Sequence, residues 1–343
     1  MQPGDIDGNA VAAWLRDNGV PTDAPLRIEK FPGGQSNPTY LVQAEHDKMV
    51  LRRKPFGPLL PSAHAVEREF KLISALYPTG IPVARPIALC EDPAVIGSAF
   101  YVMGYSDGRT FWNGSLPDVD PAERIPLYRS MVETLADLHS VDFEAAGLGD
   151  FRKPGNYFER QLNRWIKQYR AAQTDEIPEM ESLIEWLPRT VPEQTGVSII
   201  HGDFRIDNLI FDHTSPRVLA LIDWELATIG DPLADLSYFA MNWLLPVSFS
   251  SGLLDVDLAA QALPKAEELT DIYCARTGRR GIPDLNWYFS YGLFRLACII
   301  QGIKRRTIDG NASSDNPEAV IAQIPVLART AWEQARLAGA PKQ

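Results

Sequence analysis

Two short apolar runs that each lead to an aspartate place the strongest constraint on how this chain folds. The run at 199–200 leads into His201-Gly202-Asp203, and the run at 218–222 ends at Asp223. Short apolar runs that are bounded by polar or glycine residues are consistent with buried strands. We therefore predict a compact strand-and-loop region at 197–231, in which carboxylates follow the strand ends.

The loop after the first run carries two oxygen-bearing side chains. Four residues separate Asp203 from Asn208, which precedes another apolar run. Phosphoryl transfer needs a carboxylate near the attacking hydroxyl and an oxygen ligand for magnesium, and this spacing supplies both on one loop. Asp223 adds a second carboxylate, and magnesium prefers a few such oxygens together with phosphate and water. The alternative is that His201 and Asp203 only stabilise the turn at a strand end.

The remaining pattern predicts an α+β fold. Alternation and turn residues predict five strands, at 26–31, 39–44, 49–53, 86–90 and 99–105. Helical spacing of apolar residues predicts helices at 7–18 and 63–76, and after a candidate hinge at 104–108 also at 125–140 and 157–171. We expect a strand-rich N-terminal lobe at 1–105 and a larger, mostly helical C-terminal lobe at 106–343.

A glycine-rich segment joins the first two predicted strands. It consists of Gly33, Gly34, Gln35, Ser36 and Asn37. A loop of this kind between two strands can cover nucleotide phosphates with its backbone amides. The same residues also suit an ordinary hairpin turn. Their position, one strand before a basic segment, favours nucleotide binding.

That basic segment offers a cation for the phosphates. Strand alternation places Arg52 and Lys54 on one face, so either can serve, and a solvated basic edge strand is the alternative. The next predicted helix supplies two candidate carboxylate partners, Glu67 and Glu69. We favour Glu69 because it shares a face with apolar residues of that helix.

The motifs at Asp203 and Asp223 resemble the aminoglycoside phosphotransferase and choline kinase superfamily. The resemblance rests on His201-Gly202-Asp203 with Asn208 and on Ile222-Asp223-Trp224-Glu225, and it extends over nearly the whole chain. It implies a two-lobed, protein-kinase-like fold, ATP and Mg²⁺ as cofactors, and Asp203 as the catalytic base. It also implies Asn208 and Asp223 as magnesium ligands, with Glu225 as a further ligand or a support for them.

The resemblance extends to the nucleotide-binding residues. The family's Val-Leu-Lys pattern matches Val50-Leu51-Arg52, so Arg52 stands where lysine is usual and is favoured over Lys54. Met103, near the end of the fifth predicted strand, completes the predicted nucleotide-binding set.

Segments at 31–40, 50–55 and 229–236 are similar to one subgroup, the kinase-like domain fused to acyl-CoA dehydrogenases in some eukaryotic proteins. This similarity implies a hydroxyl-bearing small-molecule acceptor such as a hydroxyacyl-CoA, and a link to acyl-CoA metabolism. Two alternatives stay open: an aminoglycoside-type antibiotic kinase, and a non-catalytic ATP-binding or partner-docking module.

Several other polar residues receive structural or acceptor-binding interpretations. Asp231 and Asp235 are predicted to hold the metal loop and cap the following helix, and His139 to be a packed residue. The segment 287–306 could hold an acyl chain and CoA phosphates through aromatic and cationic groups, including Arg295 and Gln301. An amphipathic helix with a basic end explains the same segment.

Charge and cysteine content narrow the partners and the compartment. The formal net charge of -11 argues against a general nucleic-acid binder, which would show a basic surface. The 3 cysteines lack the spacing of a zinc or redox site, and the chain start lacks the features of a signal peptide. We expect a cytoplasmic protein that has neither nucleic-acid nor membrane partners.

Overall fold

An antiparallel five-stranded sheet forms the N-terminal region of the computed structural model, which describes residues 6–22, 25–31, 37–45, 47–56, 64–249, 251–310 and 317–341. The strands in these ranges are β1 (Arg27–Lys30), β2 (Thr39–Gln43), β3 (Lys48–Arg53), β4 (Pro86–Cys90), β5 (Phe100–Gly104), β6 (Ser198–Ile200), β7 (Leu209–Phe211), β8 (Val218–Leu221) and β9 (Thr228–Gly230). The sheet order is β1-β2-β3-β5-β4, with every neighbouring pair antiparallel. The prediction of five strands is confirmed.

Helices make up much of the remaining chain. They are α1 (Gly8–Asp17), α2 (Val66–Leu76), α3 (Pro121–Ser140), α4 (Tyr157–Ala172), α5 (Pro178–Trp186), α6 (Leu233–Ala240), α7 (Ala266–Thr277), α8 (Asn286–Ile308), α9 (Pro317–Ile321) and α10 (Ile324–Leu337). Side-chain oxygens fix where several of them begin: Asp7 accepts hydrogen bonds from the first turn of α1, and Asn156 from that of α4. Such acceptors satisfy backbone N–H groups that the first turn leaves without a helical partner.

The apolar face of α1 packs against the five-stranded sheet. Val11 and Leu15 are buried with Leu51 of β3 and Phe100 of β5. Trp14 meets Phe100 edge to face, with 4.9 Å between the ring centroids. Burial of each large apolar side chain contributes roughly 1.5–3 kcal/mol. The first helix is therefore part of the core of this sheet.

The chain divides into two compact units. One comprises Met1–Thr110, Ala146–Leu148 and Asn208–Ala227, and the other comprises Phe111–Ala145, Gly149–Asp207 and Thr228–Gln343. The first, here called the sheet unit, contains the five-stranded sheet, α1, α2 and the β7–β8 hairpin. The second, the helical unit, contains α3 to α10 and the antiparallel pair β6–β9. The fold is α+β. The division of the chain into lobes at 1–105 and 106–343 remains a prediction.

The helical unit is built around α8. This helix packs against α4, α6 and α10, and its central residues Leu293 and Phe294 are fully buried. Although α8 has 23 residues, neither it nor any other helix in the described ranges is long and apolar enough to cross a bilayer.

Candidate active site

The β7–β8 hairpin of the sheet unit brings two predicted metal ligands to one end. Leu209 pairs with Leu221, and just beyond this pair the Ile222 N–H donates a 2.9 Å hydrogen bond to the Asn208 carbonyl. Asn208 ends the loop before β7, and Asp223 begins the loop after β8. Asn208 and Asp223, which the hairpin separates in the sequence, therefore flank the same end of that hairpin.

The backbone of Asp223 is held in the left-handed region, with φ 65° and ψ 63°. For a non-glycine residue this conformation costs on the order of 1–3 kcal/mol and persists where surrounding contacts enforce it. The Trp224 indole donates a 2.9 Å hydrogen bond to the Leu221 carbonyl, and Arg68 of α2 donates a 3.1 Å bond to the Ala227 carbonyl. Both ends of the loop that carries Asp223 are thus fixed.

Arg52 of β3 connects that loop to helix α2. Its Nε lies 2.8 Å from Glu69, and its Nη2 lies 2.7 Å from Asp223 and 3.4 Å from Glu225. Arg52 is only 11% exposed, and although burial alone would lower its pKa, the carboxylates, Glu69 foremost, hold the pKa above its ordinary value. Arg52 is therefore a permanent cation with three carboxylates around it.

Glu69 is fixed by neutral donors as well as by Arg52. Its Oε1 accepts a 2.7 Å hydrogen bond from the Asn37 amide, and its Oε2 accepts a 3.1 Å bond from the Tyr101 hydroxyl. Asn37 is itself fully buried, and its Oδ1 lies 3.0 Å from Nδ1 of His64. The side chain of Asn37, predicted to contact nucleotide, is thus used to orient Glu69 in this structure.

The other predicted nucleotide-binding residues fall in different places. Lys54 follows β3 and pairs at 2.8 Å with Glu67. Of the two candidate carboxylates, Glu69 therefore pairs with Arg52 and Glu67 with Lys54. Met103 lies in β5, half-buried, opposite Val50 of β3. Residues Gly33, Gly34, Gln35 and Ser36 lie outside the described residues.

In the helical unit, the predicted catalytic loop begins where β6 ends. Gly202 has φ +86°, a conformation that favours glycine. The carboxylate of Asp235, in the first turn of α6, accepts hydrogen bonds from the backbone N–H groups of His201 (2.6 Å) and Gly202 (2.8 Å). The Asp203 N–H in turn donates to Nδ1 of His201 at 3.2 Å. Three consecutive backbone groups are therefore held.

Asp235 is itself enclosed by histidines. His139 places Nε2 3.4 Å from Asp235 and Nδ1 2.7 Å from the Tyr273 hydroxyl, which agrees with its predicted packing role. Burial alone would raise the pKa of Asp235, but hydrogen bonding and the charges of His139 and His201 hold this pKa below its ordinary value. The carboxylate that orients the loop therefore stays ionised.

The prediction that Asp231 and Asp235 hold the metal loop and cap a helix is confirmed for the helix cap and needs a correction for the loop. Asp231 accepts the Leu233 N–H at 2.9 Å, at the start of α6, and the Thr195 N–H at 3.1 Å. Within the part of the chain that the structure describes, the backbone hydrogen bonds to the Asp235 carboxylate come from the loop of Asp203, not from the loop of Asp223. The physical reason is that Asp235 lies in the first turn of α6, from which its side chain reaches the end of β6.

The Asp203 carboxylate is 22% exposed and has neighbours on two sides. Nε of Arg205 lies 3.3 Å from its Oδ1, and the Tyr238 hydroxyl also hydrogen-bonds to it. Burial first, and then the charge of Asp203, raises the pKa of Tyr238, so this phenol remains protonated as a donor. Asp203 therefore combines a fixed orientation with partial access to solvent.

Arg295 of α8 supports the same loop from within the helical unit. Its Nη2 donates a 2.6 Å hydrogen bond to the Gly202 carbonyl, and its guanidinium lies over the rings of Trp165 and Tyr238. The prediction that Arg295 and Gln301 hold CoA is therefore wrong for these two residues. Both are buried, and Gln301 donates to the Ala172 carbonyl at 2.9 Å.

Sequence patterns did not indicate Arg205, Tyr238 or Arg295 as neighbours of the loop. Arg205 lies inside the motif that runs from His201 to Asn208, so the sequence itself places a cation near Asp203. Tyr238 follows Asp235 at i+3, which places both on one face of α6. Arg295 left no local signal because its contact to Gly202 spans 93 positions.

The oxygen donors near Asp223 fit a magnesium ion. Magnesium binds through one or two carboxylates plus phosphates and water and does not require a complete protein cage. Arg52 contacts Oδ1 of Asp223, whose side chain is 37% exposed, and Asn208 lies at the same hairpin end. Among the described residues, no cluster of three or more His, Cys, Asp and Glu side chains suits a metal ion.

Comparison with known proteins supports the class of small-molecule phosphotransferases. The chain belongs to the phosphotransferase enzyme family, whose family model matches residues 27–269. It is 43% identical over 323 residues to mouse acyl-CoA dehydrogenase family member 10, a match covering 94% of this chain and 30% of that protein. The chain thus spans about a third of the length of this curated relative.

Solved structures with the same fold include antibiotic kinases. A Ralstonia eutropha protein provisionally described as an aminoglycoside phosphotransferase has a TM-score of 0.88 and 43% identity, over 97% of this chain and 99% of that one. Aminoglycoside phosphotransferase APH(4)-Ia, in a ternary complex with AMP-PNP and hygromycin B, has a TM-score of 0.61 at 16% identity, over 97% and 99% of the two chains. The second likeness shows the fold alone.

Proposed function

We propose that this protein transfers the γ-phosphoryl group of ATP to a hydroxyl group of a small molecule, with Asp203 as the catalytic base. The observation that carries the proposal is the fixation of the Asp203 loop: its backbone bonds to Asp235, to His201 and to Arg295, while the carboxylate stays partly exposed. A rigid, accessible carboxylate is what orientation of an attacking hydroxyl requires.

At Asp203 the chain would hold and move one proton. The carboxylate accepts a hydrogen bond from the acceptor hydroxyl and takes its proton as the oxygen attacks phosphorus. Arg205 and Tyr238, which contact the carboxylate, would restrict its rotation. General-base assistance of this kind is worth about 100- to 10,000-fold in rate.

The sheet unit would handle the nucleotide. Arg52, oriented by Glu69, can donate to phosphate oxygens through the Nη2 that it directs at Asp223 and Glu225. Asn208 and Asp223 would hold magnesium, which when bound offsets the negative charge of the phosphates. APH(4)-Ia, which has this fold, was solved with the ATP analogue AMP-PNP, and this supports ATP as the donor.

For the acceptor we propose a hydroxyacyl-CoA or a closely related acyl metabolite. The support is the similarity to a protein named acyl-CoA dehydrogenase family member 10, of which this chain matches a 30% portion. Fusion of two activities in one chain favours a shared class of substrate. The acceptor assignment thus rests on the relatives, and the assignment of Asp203 rests on geometry.

The test is ATP-dependent phosphorylation followed by mass spectrometry. Hydroxyacyl-CoAs, aminoglycosides, choline and sugars are incubated with wild type, with Asp203→Asn and with Asp118→Asn, the same change at an exposed position elsewhere, as a control. We expect a phosphorylated hydroxyacyl-CoA from wild type and from the control, and none from Asp203→Asn. Retained transfer by Asp203→Asn would overturn the base assignment; an aminoglycoside product alone would overturn the acceptor assignment.

A further inference from the structure

A cavity of about 340 Å³ opens in the helical unit, away from the catalytic loop along β6. Three chain segments line it: residues 152–155, residues 194–197 before β6, and Ile229 with Gly230 of β9. A parallel bridge between Arg152 and Ile229 joins two of these segments. The cavity thus meets β6 at its start, whereas Asp203 follows the end of that strand.

The lining is cationic although the chain carries a net charge of -11. Arg152, Lys153 and Arg160 line the cavity, and the lining contains no Asp or Glu. Arg152 pairs with Glu144 at 4.0 Å, and both side chains are more than half exposed. Such an exposed pair contributes little neutralisation. Lys153 makes no ion pair within the described residues, so positive charge remains for a ligand.

The cavity wall is held in place before any ligand arrives. The Gln194 amide donates to the Gly196 carbonyl at 2.7 Å, and its oxygen accepts the Tyr157 N–H at 3.2 Å. Arg160 donates to the Pro154 carbonyl at 3.0 Å and so fixes the segment that carries Lys153. A fixed wall lowers the entropy cost of binding.

Two further charged groups lie close to the cavity. Asp231 bonds to the Thr195 N–H but is fully buried, so its carboxylate faces the interior. Arg279 lies 3.4 Å from Oγ1 of Thr195 and adds a fourth cation beside the lining. The charged groups that line the cavity are therefore cations, with Arg279 beside them and Glu144 as an exposed carboxylate 4.0 Å from Arg152.

We propose that this cavity is a second binding site, for a phosphate ester of a small organic molecule. Its volume lies in the range of small-ligand sites, roughly 300–1,000 Å³. Arg152 and Lys153 would contact the phosphate by charge-assisted hydrogen bonds, and Gln194 and Thr195 are neutral groups suited to hydroxyls of the ester. The site is separate from the phosphotransfer chemistry proposed for Asp203.

Calorimetric titration of the full chain, without nucleotide, tests the proposal. The probes are ribose 5-phosphate and ribose. We expect binding of the phosphate ester and not of ribose, weakened at least about tenfold in Arg152→Ala/Lys153→Ala because two charge-assisted hydrogen bonds are lost. The control Lys167→Ala/Arg189→Ala removes one lysine and one arginine from the exposed surface elsewhere and should bind like wild type.

Two further measurements identify the source of the phosphate ester and control for misfolding. CoA is compared with dephospho-CoA, which lacks the 3′-phosphate. If CoA binds more tightly, and the difference disappears in the double variant, the ester is the 3′-phosphate of CoA. If CoA and dephospho-CoA bind equally, the site is assigned to free sugar phosphates. Lys153→Glu, a single exposed change, should weaken ribose 5-phosphate binding in a protein with wild-type circular dichroism. Equal affinity in wild type and both cavity variants, or no binding by wild type, overturns the proposal. Neither result would bear on phosphotransfer at Asp203.

Discussion

Nη2 of Arg52 lies 2.7 Å from Oδ1 of Asp223, although 171 positions separate the two residues in the sequence. The same guanidinium contacts Glu69, which is 3% exposed. One side chain therefore joins the strand β3, the helix α2 and the loop after β8. Removal of the Arg52 side chain leaves the buried Glu69 carboxylate without its counter-ion.

We expect Arg52→Ala to lower the free energy of unfolding by about 3 kcal/mol, because an unpaired buried charge is strongly destabilising. Urea denaturation measures this loss. Lys54→Ala is the control: its pair with Glu67 is partly exposed, at 26% and 39%, and should contribute less than about 1 kcal/mol. Equal losses in the two variants would contradict the role of Arg52. Arg52→Ala should also weaken ATP binding more than Lys54→Ala does.

Arg295 should affect turnover without contacting substrate. Arg295→Ala removes the 2.6 Å hydrogen bond to the Gly202 carbonyl, next to Asp203, and a displaced catalytic group can cost about 100-fold in rate. We expect kcat to fall by about 10- to 100-fold while the Kd for ATP stays unchanged.

Steady-state kinetics and nucleotide titration separate these two effects of Arg295→Ala. Arg306→Ala, at an exposed position of the same helix, is the control and should leave both quantities unchanged. A parallel loss of ATP affinity would indicate general unfolding and contradict the positioning role. Arg295→Lys, which keeps the charge, should recover part of kcat.

Substitution of either of two buried carboxylates, Asp235 and Asp231, should lower the free energy of unfolding, and the two losses should depend on pH in opposite directions. Each carboxylate accepts two backbone N–H groups, so Asn at either position leaves one donor unsatisfied, at a cost of about 1–3 kcal/mol. The pKa of Asp235 is held below its ordinary value despite burial, whereas burial raises the pKa of Asp231.

The sign of each effect follows from linkage between protonation and folding. The stability that Asp235 contributes is present above the unfolded pKa, about 3.9, and is lost as the pH falls through its lower folded pKa. The contribution of Asp231 is fully present below about 3.9 and declines as the pH rises through its higher folded pKa. We therefore expect the cost of Asp235→Asn to shrink on acidification and that of Asp231→Asn to grow. Urea denaturation from pH 7 down to the acid transition checks this; the same trend in both variants would contradict it.

Gly230 of β9 has no room for a side chain. A Cβ built there would lie 2.3 Å from the ring of Tyr157, which is buried at the start of α4. Overpacking of this kind costs about 1–3 kcal/mol, so Gly230→Ala should lower the melting temperature. Gly149→Ala meets no atom within 4 Å and should stay within about 0.5 kcal/mol of wild type. Equal thermal stability of the two variants would contradict the close approach.

Local patterns were enough to predict the sheet and the motif loops. The five strands and α1 follow from short-range alternation, helical spacing and turn residues, and each lies within a few residues of its predicted position. The salt bridge of Arg52 with Glu69 also joins two residues singled out from sequence. His201 and Asp235, which hold the loop of Asp203, were singled out from sequence, whereas Arg295 was missed because its contact to Gly202 depends on tertiary packing.

The discontinuous make-up of the sheet unit has a consequence for protein engineering. The five-stranded sheet ends before Thr110, but the unit also includes Asn208–Ala227, which carries Asp223. A fragment cut after Thr110 would keep Arg52 and Glu69 yet lose the carboxylate that Arg52 contacts at 2.7 Å. Any recombination that grafts this unit into another protein must therefore transplant Asn208–Ala227 together with Met1–Thr110, joined by a new linker, because Met1–Thr110 alone lacks Asp223.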